Sequence, residues 1–123
     1  MMRDDYLDGS EGSGGYCRAV RRGNQIFISG TGGLKDGSLV GPDVTSQTQR
    51  IYERFEQSLK HFGAAKTDIV RVCAYVTDLA TADEFMKVHE AFFSTSRTAA
   101  TLVEVSDLVL GIAIEIDAQA VVA

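Results

Sequence analysis

The sequence predicts a single α+β domain in which two helices cover one face of a mixed β-sheet. Two segments repeat apolar side chains every three or four residues, as amphipathic helices do. The other regular segments alternate apolar and polar residues or form short apolar runs, and glycine-containing turns separate them. The length of 123 residues suits one domain, and 45% hydrophobic with 24% charged residues is the composition of a folded protein.

The N-terminal region divides into an arm and a hairpin. Residues 1–15 combine glycine and acidic groups with few large apolar side chains, which predicts a mobile arm ahead of one domain at 16–123. The segments Tyr16–Arg22 and Gln25–Ser29 are short strands, and the Gly23-Asn24 dipeptide between them suits a two-residue hairpin turn.

The next segment is a loop followed by the first helix. Residues 30–42 hold five glycines and the only proline, with a short extended piece expected at Ser38–Val40. The helix is predicted over Val44–Phe62, with Asp43 or Ser46 as its N-cap and Gly63 as its stop. Its apolar stripe is Ile51, Phe55, Leu59 and Phe62, and the charged residues assigned to the other face are Arg50, Glu53, Arg54 and Lys60.

The second half predicts three strands and one helix. Alternation over Val70–Thr77 indicates a strand, and Thr81 with Glu84 has the spacing of a capping box that opens a helix reaching Ser94. Two further strands, joined by a short loop, are expected to close the chain as a hairpin. The apolar helix residues are Phe85, Val88, His89, Phe92 and Phe93, and the two strands are Ala99–Val105 and Ile112–Val122.

The element order is strand, strand, helix, strand, helix, strand, strand. Parallel strands need a crossover connection, so both helices should lie on one face of a mixed sheet, giving a two-layer sandwich. The other face mixes charged residues with Tyr75, Ala113 and Val121. A half-apolar open face suggests that another subunit covers it.

Composition and missing motifs exclude several functions. Twelve basic against seventeen acidic residues give a net charge of −5, which argues against a broad nucleic-acid surface. Phosphate-binding loops, dinucleotide fingerprints and nucleophile elbows are missing from the sequence. Without a long apolar stretch or a signal-like N-terminus, we expect a cytoplasmic protein that does not enter a membrane.

Cysteine and histidine usage favours neither a metal site nor a cofactor. Cys17 and Cys73 are too isolated for a zinc cluster and are interpreted as packing residues. His89 is expected in the core or an interface, whereas His61 lies off the apolar stripe and is expected in solvent. No cofactor is predicted.

Glu115 is the residue best placed for chemistry. It lies between Ile114 and Ile116 on a predicted strand, where a carboxylate is either a charge on the wetter face or a general acid/base in a cleft. The Ser29–Gly33 segment is either a plain loop or a set of exposed main-chain groups that bind a polar ligand. Both alternatives stay open on the residues alone.

Several segments together resemble the reactive-intermediate deaminase family, also called the Rid, YjgF or endoribonuclease L-PSP family. The resemblance covers nearly the whole chain from residue 15 and includes the spacing of the last two strands. It implies a chorismate-mutase-like fold and a homotrimer with small-molecule clefts between subunits. The matching segments are Gly15–Asn24, Ile26–Gly30, Asp68–Leu79, Glu90–Phe93, Leu102–Val105 and Ile114–Ile116.

The resemblance also implies an activity and a set of site residues. Deaminating members hydrolyse 2-imino or enamine acids, with an Arg that binds the substrate carboxylate and a Glu that positions water. Glu115 matches that Glu, and Tyr16 and Gly30 match groups that line the cleft. The remaining cleft positions are Met86, Ala100, Thr101 and Leu102.

This sequence departs from the family pattern at the carboxylate-binding position. Ala100 occupies the place of the Arg, Met86 that of an Asn and Leu102 that of a frequent Cys. Arg97 and Arg18 are candidate replacements, although both are interpreted as surface charges. The departures imply a larger, more apolar cleft and a substrate other than a simple small 2-imino acid.

Three functions are therefore carried forward. The first is a Rid-like hydrolase of imines, enamines or related metabolites. The second is a trimer of the same fold that binds a small molecule or a partner without catalysis. The third is the ribonuclease activity of the family name, which the net charge and the lack of paired histidines oppose.

Overall fold

The computed structural model describes residues 3–12 and 14–123. Six strands form one sheet in the order β1-β2-β3-β8-β6-β7, and β4 and β5 form a separate two-stranded ribbon. The strands are β1 Arg3–Tyr6, β2 Ala19–Arg22, β3 Gln25–Gly32, β4 Leu34–Lys35, β5 Ser38–Leu39, β6 Ile69–Val76, β7 Ala99–Glu104 and β8 Ile114–Val121. The helices are α1 Val44–His61 and α2 Ala82–Phe92, and short 3₁₀ turns occupy Lys66–Asp68, Leu79–Thr81 and Val109–Gly111.

The strand directions confirm the predicted α+β sandwich. Strands β6 and β7 are parallel and are joined through α2. Strands β3 and β6 both run antiparallel to β8, so they are parallel to each other and are connected through α1. Both helices pack on one face of the mixed sheet. The core between the layers includes Ile26, Ile51, Phe55, Leu59, Val72, Phe85, Ile114 and Ile116.

The predicted hairpin between the last two strands is wrong. Strand β8 lies between β3 and β6, and β7 pairs only with β6, in parallel, at the edge of the sheet. Four apolar side chains of β8 are buried, as the inner face of a central strand requires, whereas Val121 at its end is exposed. The four are Ile114, Ile116, Ala118 and Ala120. Local alternation identifies a strand but does not identify its partner, and here the partners are far away in the sequence.

Residues 3–12 differ from the predicted mobile arm. Arg3–Tyr6 form β1, which pairs antiparallel with β2, and Glu11 is buried. Polar side chains with specific partners, described below, stabilise this segment in place of apolar burial. Met1, Met2 and Ser13, which belong to the predicted arm, lie outside the described residues.

The predicted limits of the helices are largely confirmed. The Asp43 carboxylate accepts a hydrogen bond from the Ser46 amide at 2.9 Å, and Gly63 has a positive φ of 71°. The capping box of α2 is wrong, because the Thr81 side chain makes no cap bond. Its hydroxyl donates to the Asp78 carbonyl, and Glu84 accepts from Thr45 of α1 instead.

The histidine predictions are confirmed, whereas the cysteines differ from their prediction. His89 is buried and His61 is exposed. Cys17 and Cys73 are free thiols that are only half-buried. Cys73 belongs to the open face of the sheet, since it alternates with the buried Val72 and Ala74.

The open face of the sheet mixes polar and apolar groups, as predicted. Phe27, Val103 and Val121 expose between 36% and 43% of their surface there. None of the described helices is long and apolar enough to cross a membrane.

Candidate active site

A β-bulge in β3 brings a glycine against the Glu115 carboxylate. Ile28 pairs with Ala118 and Thr31 with Ile116, so Ser29 and Gly30 together face one residue of β8. Glu115 is half-buried, and a Cβ built on Gly30 would lie 3.0 Å from its Cδ and collide with its Oε1. Only glycine leaves room for the carboxylate in this position.

Side chains hold the backbone of the bulge. The Ser29 hydroxyl donates to the Cys17 carbonyl at 2.7 Å, and the Ser29 amide donates to the Arg18 carbonyl at 3.0 Å. The Thr31 hydroxyl donates to the Ser29 carbonyl at 2.7 Å. These bonds replace the ladder bonds that a bulge interrupts, so the wall beside Glu115 is fixed in place.

Arg18 connects Tyr16 with Gly30. The Arg18 Nη2 atom donates to the Gly30 carbonyl at 2.6 Å, and its guanidinium carbon lies 5.8 Å from the centre of the Tyr16 ring. Arg18 is 5% exposed, so its interpretation as a surface charge is wrong. Because both terminal nitrogens bond to protein atoms, Arg18 does not offer a free guanidinium fork to a substrate carboxylate. Arg97 is exposed, as predicted.

Arg54 is also buried, and its assignment to the solvent-facing side of α1 is wrong. Its Nη1 atom donates to the Gly32 carbonyl at 2.9 Å, and its Nη2 atom bonds to Asp8 at 3.0 Å. The signal was present in the sequence, because Arg54 shares a buried helix face with Gln47, Ile51 and Ser58 at spacings of four, three and four. Three of those four side chains are polar. The repeat of apolar residues that identified the helix therefore does not reveal this face.

The cleft residues predicted on β7 point to both faces of the sheet. Ala100 and Leu102 pair with Val72 and Ala74, whose side chains are in the core, so they belong to the helix face. Thr101 pairs with Cys73 and belongs to the open face, as Glu115 does.

Met86 is 40% exposed on α2, in the helix layer. The predicted residues therefore form two groups in one protomer. Glu115, Gly30 and Tyr16 are linked around the bulge, whereas Ala100, Leu102 and Met86 lie on the helix side.

Tyr75 and Asp117 extend the polar surface next to Glu115. Tyr75 pairs with Glu115 across β6 and β8, and its hydroxyl donates to Asp117 at 3.0 Å. This hydrogen bond raises the pKa of Tyr75, and partial burial adds to the effect. The phenol therefore remains neutral at physiological pH. Sequence analysis did not identify this pair because its members lie 42 positions apart.

A cavity of about 520 Å³ opens beside the bulge. Its walls include Tyr16, Cys17 and Ser29, together with Leu7 and Gly12 from the N-terminal segment, whereas Glu115 and Gly30 are not among its lining residues. Among residues 3–12 and 14–123, no group of three His, Cys, Asp or Glu side chains could hold a metal ion. The site offers a carboxylate, a fixed backbone and an aromatic ring, which is a set suited to acid/base chemistry on a small molecule.

The chain is similar to known proteins over most of its length. A family model described as Endoribonuclease L-PSP matches residues 10–122. The chain is 34% identical to a RutC family protein of Pyrococcus abyssi over 87% of this chain and 86% of that protein. It is 28% identical to the chloroplastic Reactive Intermediate Deaminase A of Arabidopsis thaliana over 85% of this chain and 57% of that protein.

A solved structure gives the same answer for the fold. The crystal structure of a YjgF/YER057c/UK114 family member from Mycobacterium tuberculosis superposes with a TM-score of 0.89 and 36% sequence identity. The alignment covers 98% of this chain and 100% of that one. The two-layer sandwich described above is the chorismate-mutase-like α+β fold of these proteins. The chain belongs to the Rid family, the endoribonuclease L-PSP family of the matching model.

Proposed function

We propose that the protein hydrolyses the C=N bond of small imines, or of enamines through their imine tautomers, with Glu115 positioning the attacking water. The contact between Glu115 and Gly30 carries this proposal. The Glu115 carboxylate is half-buried, extends from a central strand and lies against the Gly30 backbone of the bulge. Such a group can accept a proton from water at a defined position beside a bound substrate.

The proposed reaction needs no cofactor. The substrate reacts as its protonated iminium ion: water adds to the imine carbon as one water proton passes to Glu115, and a neutral carbinolamine forms. Glu115 then returns that proton to the nitrogen. The C–N bond breaks as the hydroxyl proton passes to Glu115, and the products are a carbonyl compound and ammonia or an amine, which takes up this proton and leaves as an ammonium ion. One carboxylate serves as base and then as acid.

We propose that the complete site lies between subunits of a homotrimer. The Glu115 group and the Ala100 group occupy opposite faces of one sheet, so they cannot enclose one small ligand within a protomer. A neighbouring copy could supply one of the two groups. The exposed Phe27, Val103 and Val121 on the open face support an interface there.

The substrate is proposed to be bulkier or less charged than a simple 2-imino acid. Ala100 stands where the family has a carboxylate-binding Arg, and Met86 and Leu102 add apolar surface. A guanidinium–carboxylate pair contributes roughly 1.5–3 kcal/mol per charged hydrogen bond, so its loss weakens the binding of small acids about tenfold or more.

The loss of that Arg also favours a second candidate function. A trimer of the same fold could bind a small molecule or a partner without turning it over, since Ala100 removes a substrate contact but leaves the cleft. In that case Glu115 would be a polar wall residue and its substitution would change affinity only.

Turnover of freshly generated imines separates these candidates. The panel contains imines with and without a carboxylate, and ammonia or carbonyl release is measured for the wild type, Glu115→Gln and Glu53→Gln. Glu53→Gln is the matched control, because it makes the same carboxylate-to-amide change at an exposed position of α1, outside the site. Turnover that only Glu115→Gln abolishes supports the hydrolase. No turnover of any imine favours the binding protein, and salt-sensitive RNA binding with cleavage would favour a ribonuclease.

A further inference from the structure

Two buried arginines donate hydrogen bonds to β3, the strand whose bulge lies beside Glu115. Arg18, just before β2, donates to the Gly30 carbonyl at 2.6 Å, and Arg54 of α1 donates to the Gly32 carbonyl at 2.9 Å. Each arginine is 5% exposed. They therefore hold alternate carbonyl groups of β3 on both sides of Thr31.

A short N-terminal segment supplies the opposite charge. The Ser10 hydroxyl accepts from Arg54 at 3.0 Å and from Arg18 at 3.4 Å, and it donates to Asp8. Asp8 pairs with Arg54 at 3.0 Å. Glu11 is buried and accepts from the amides of Asp8 and Gly9, both at 3.0 Å. We call residues 8–11 the brace.

The arrangement is costly to the fold, which argues against a purely structural role. The Arg18 Nε atom is buried and has no hydrogen-bond partner among the described residues. Burial, and the nearby positive charge of Arg54, lower the pKa of Arg18. An apolar side chain at position 18 would avoid these costs but would leave the Gly30 carbonyl without its donor.

The Gly30 peptide is the link between Arg18 and the proposed catalytic group. The Glu115 carboxylate contacts the Gly30 Cα region so closely that a methyl group there would displace it. Any rotation of the Gly30 peptide therefore moves the carboxylate or opens space beside it. Arg18 prevents that rotation through the 2.6 Å bond to the carbonyl.

We infer that Arg18 is a positioning residue for Glu115, acting through the Gly30 peptide, and that the brace and Arg54 hold Arg18 in place. This inference rests on the proposed function for its kinetic consequence. Its structural content, a Glu115 carboxylate whose position depends on the Gly30 peptide, is independent of which substrate the protein accepts.

The test compares Arg18→Met and Arg18→Lys with Arg21→Met. Arg21 is the matched control because it lies on β2 and also donates to two carbonyls, those of Gly23 at 2.9 Å and Phe62 at 2.8 Å, away from Glu115. Each variant is measured for melting temperature, for kcat and KM on an imine that the wild type hydrolyses, and for the titration of the Glu115 carboxyl by carbon NMR, assigned with Glu115→Gln.

We expect Arg18→Met to lower kcat by roughly 10- to 100-fold with KM almost unchanged. A misplaced general base slows the chemical step but has little effect on the affinity for substrate. The carbon NMR titration curve of Glu115 in Arg18→Met should differ from the wild-type curve, because the surroundings of the carboxylate change. Arg18→Lys keeps a charged hydrogen-bond donor, so its kcat should lie between that of Arg18→Met and that of the wild type. Arg21→Met should lower only the melting temperature.

Two results would overturn the inference. The first is an Arg18→Met variant with the kcat and the Glu115 titration curve of the wild type. The second is an Arg21→Met variant that loses as much kcat as Arg18→Met does. If Arg18→Met does not fold, Ser10→Ala replaces it, since it removes the acceptor shared by both arginines and should shift kcat and the titration in the same direction. A wild type without any turnover would contradict the proposed function alone, because the NMR titration still decides whether Arg18 positions Glu115.

Discussion

The Tyr52 hydroxyl and the His89 Nδ1 atom lie 2.7 Å apart in the interior, where they join α1 to α2. Tyr52 is 1% exposed, and burial raises the pKa of its phenol, which stays protonated. The direction of this bond depends on the His89 tautomer: the hydroxyl donates where Nδ1 carries no hydrogen and accepts where Nδ1 carries one. The two rings also pack with Phe92 and Phe93.

This pair predicts a loss of stability in mildly acidic solution. Burial lowers the pKa of His89 below its usual 6.5. The unfolded chain therefore takes up a proton before the folded protein does, so the His89 contribution is complete above about pH 6.5 and declines as the pH falls. Melting temperatures from pH 7.5 to 5 should show this decline. His89→Phe should flatten it, whereas His61→Gln, which changes an exposed histidine, should keep it.

Gly30→Ala should separate activity from stability. The added methyl group meets the end of the flexible Glu115 side chain, which can move, so we expect a small loss of stability but a large loss of imine hydrolysis. Gly33→Ala is the contrasting variant, because its Cβ would lie 2.6 Å from the Gln47 Cα in the backbone of α1. It should destabilise the fold by about 1–3 kcal/mol. Urea unfolding measures the stability of both variants, and imine hydrolysis measures their activity. The prediction would be wrong if Gly30→Ala lost no more turnover than Gly33→Ala for the same loss of unfolding free energy.

The brace predicts acid sensitivity at lower pH. Burial alone would raise the pKa of Asp8, but hydrogen bonds from Ser10 and the Arg54 guanidinium outweigh it and hold the pKa well below the usual range. The ionised form contributes stability above about pH 4, and this contribution is lost as the pH falls further. Asp8→Asn should cost about 3 kcal/mol at pH 7, since it leaves Arg54 buried without its acid.

Unfolding curves at pH 7 and pH 3 check this prediction. The difference in stability between Asp8→Asn and the wild type should shrink at pH 3, where Asp8 takes up a proton in the unfolded chain but stays ionised in the folded protein. Asp36→Asn serves as the control, because Asp36 is exposed in the turn between β4 and β5 and makes no ion pair with a described arginine. A constant difference at both pH values would show that the Asp8 charge does not matter.

Ala100→Arg should restore affinity for small carboxylates. Ala100 is exposed on the helix face of β7, so a longer side chain meets no core atoms there. We expect the dissociation constant of a small 2-keto acid to fall about tenfold or more. Ala99→Arg is the control, since Ala99 pairs with Arg71 and belongs to the opposite face. Calorimetric titration would contradict the prediction if both variants bound the acid equally.

Local patterns predicted most of the elements of this fold. The stripe through Ile51, Phe55 and Leu59, the Asp43 cap and the Gly23-Asn24 turn all depend on neighbouring residues, and the structure contains each of them. The position of β8 could not be predicted in this way. Its pairing depends on contacts with β3 and β6, which are distant in the sequence.

The candidate site was harder to predict than the fold. Glu115 and Gly30 were identified separately, but their contact depends on a bulge that has no local signature beyond a glycine. Arg18 and Arg54 were assigned to the surface because charged side chains are rarely buried. Their burial depends on the brace, whose polar residues resemble those of a disordered arm.

The place of β8 has a consequence for synthesis on the ribosome. Strands β1, β2 and β3 on one side and β6 and β7 on the other have no ladder bonds to each other except through β8. Until residues 114–121 emerge from the exit tunnel, both halves expose unpaired edges and the apolar faces that will form the core. The nascent chain therefore completes its sheet only after β8 has left the tunnel, and it is most exposed to aggregation and chaperone binding just before that step.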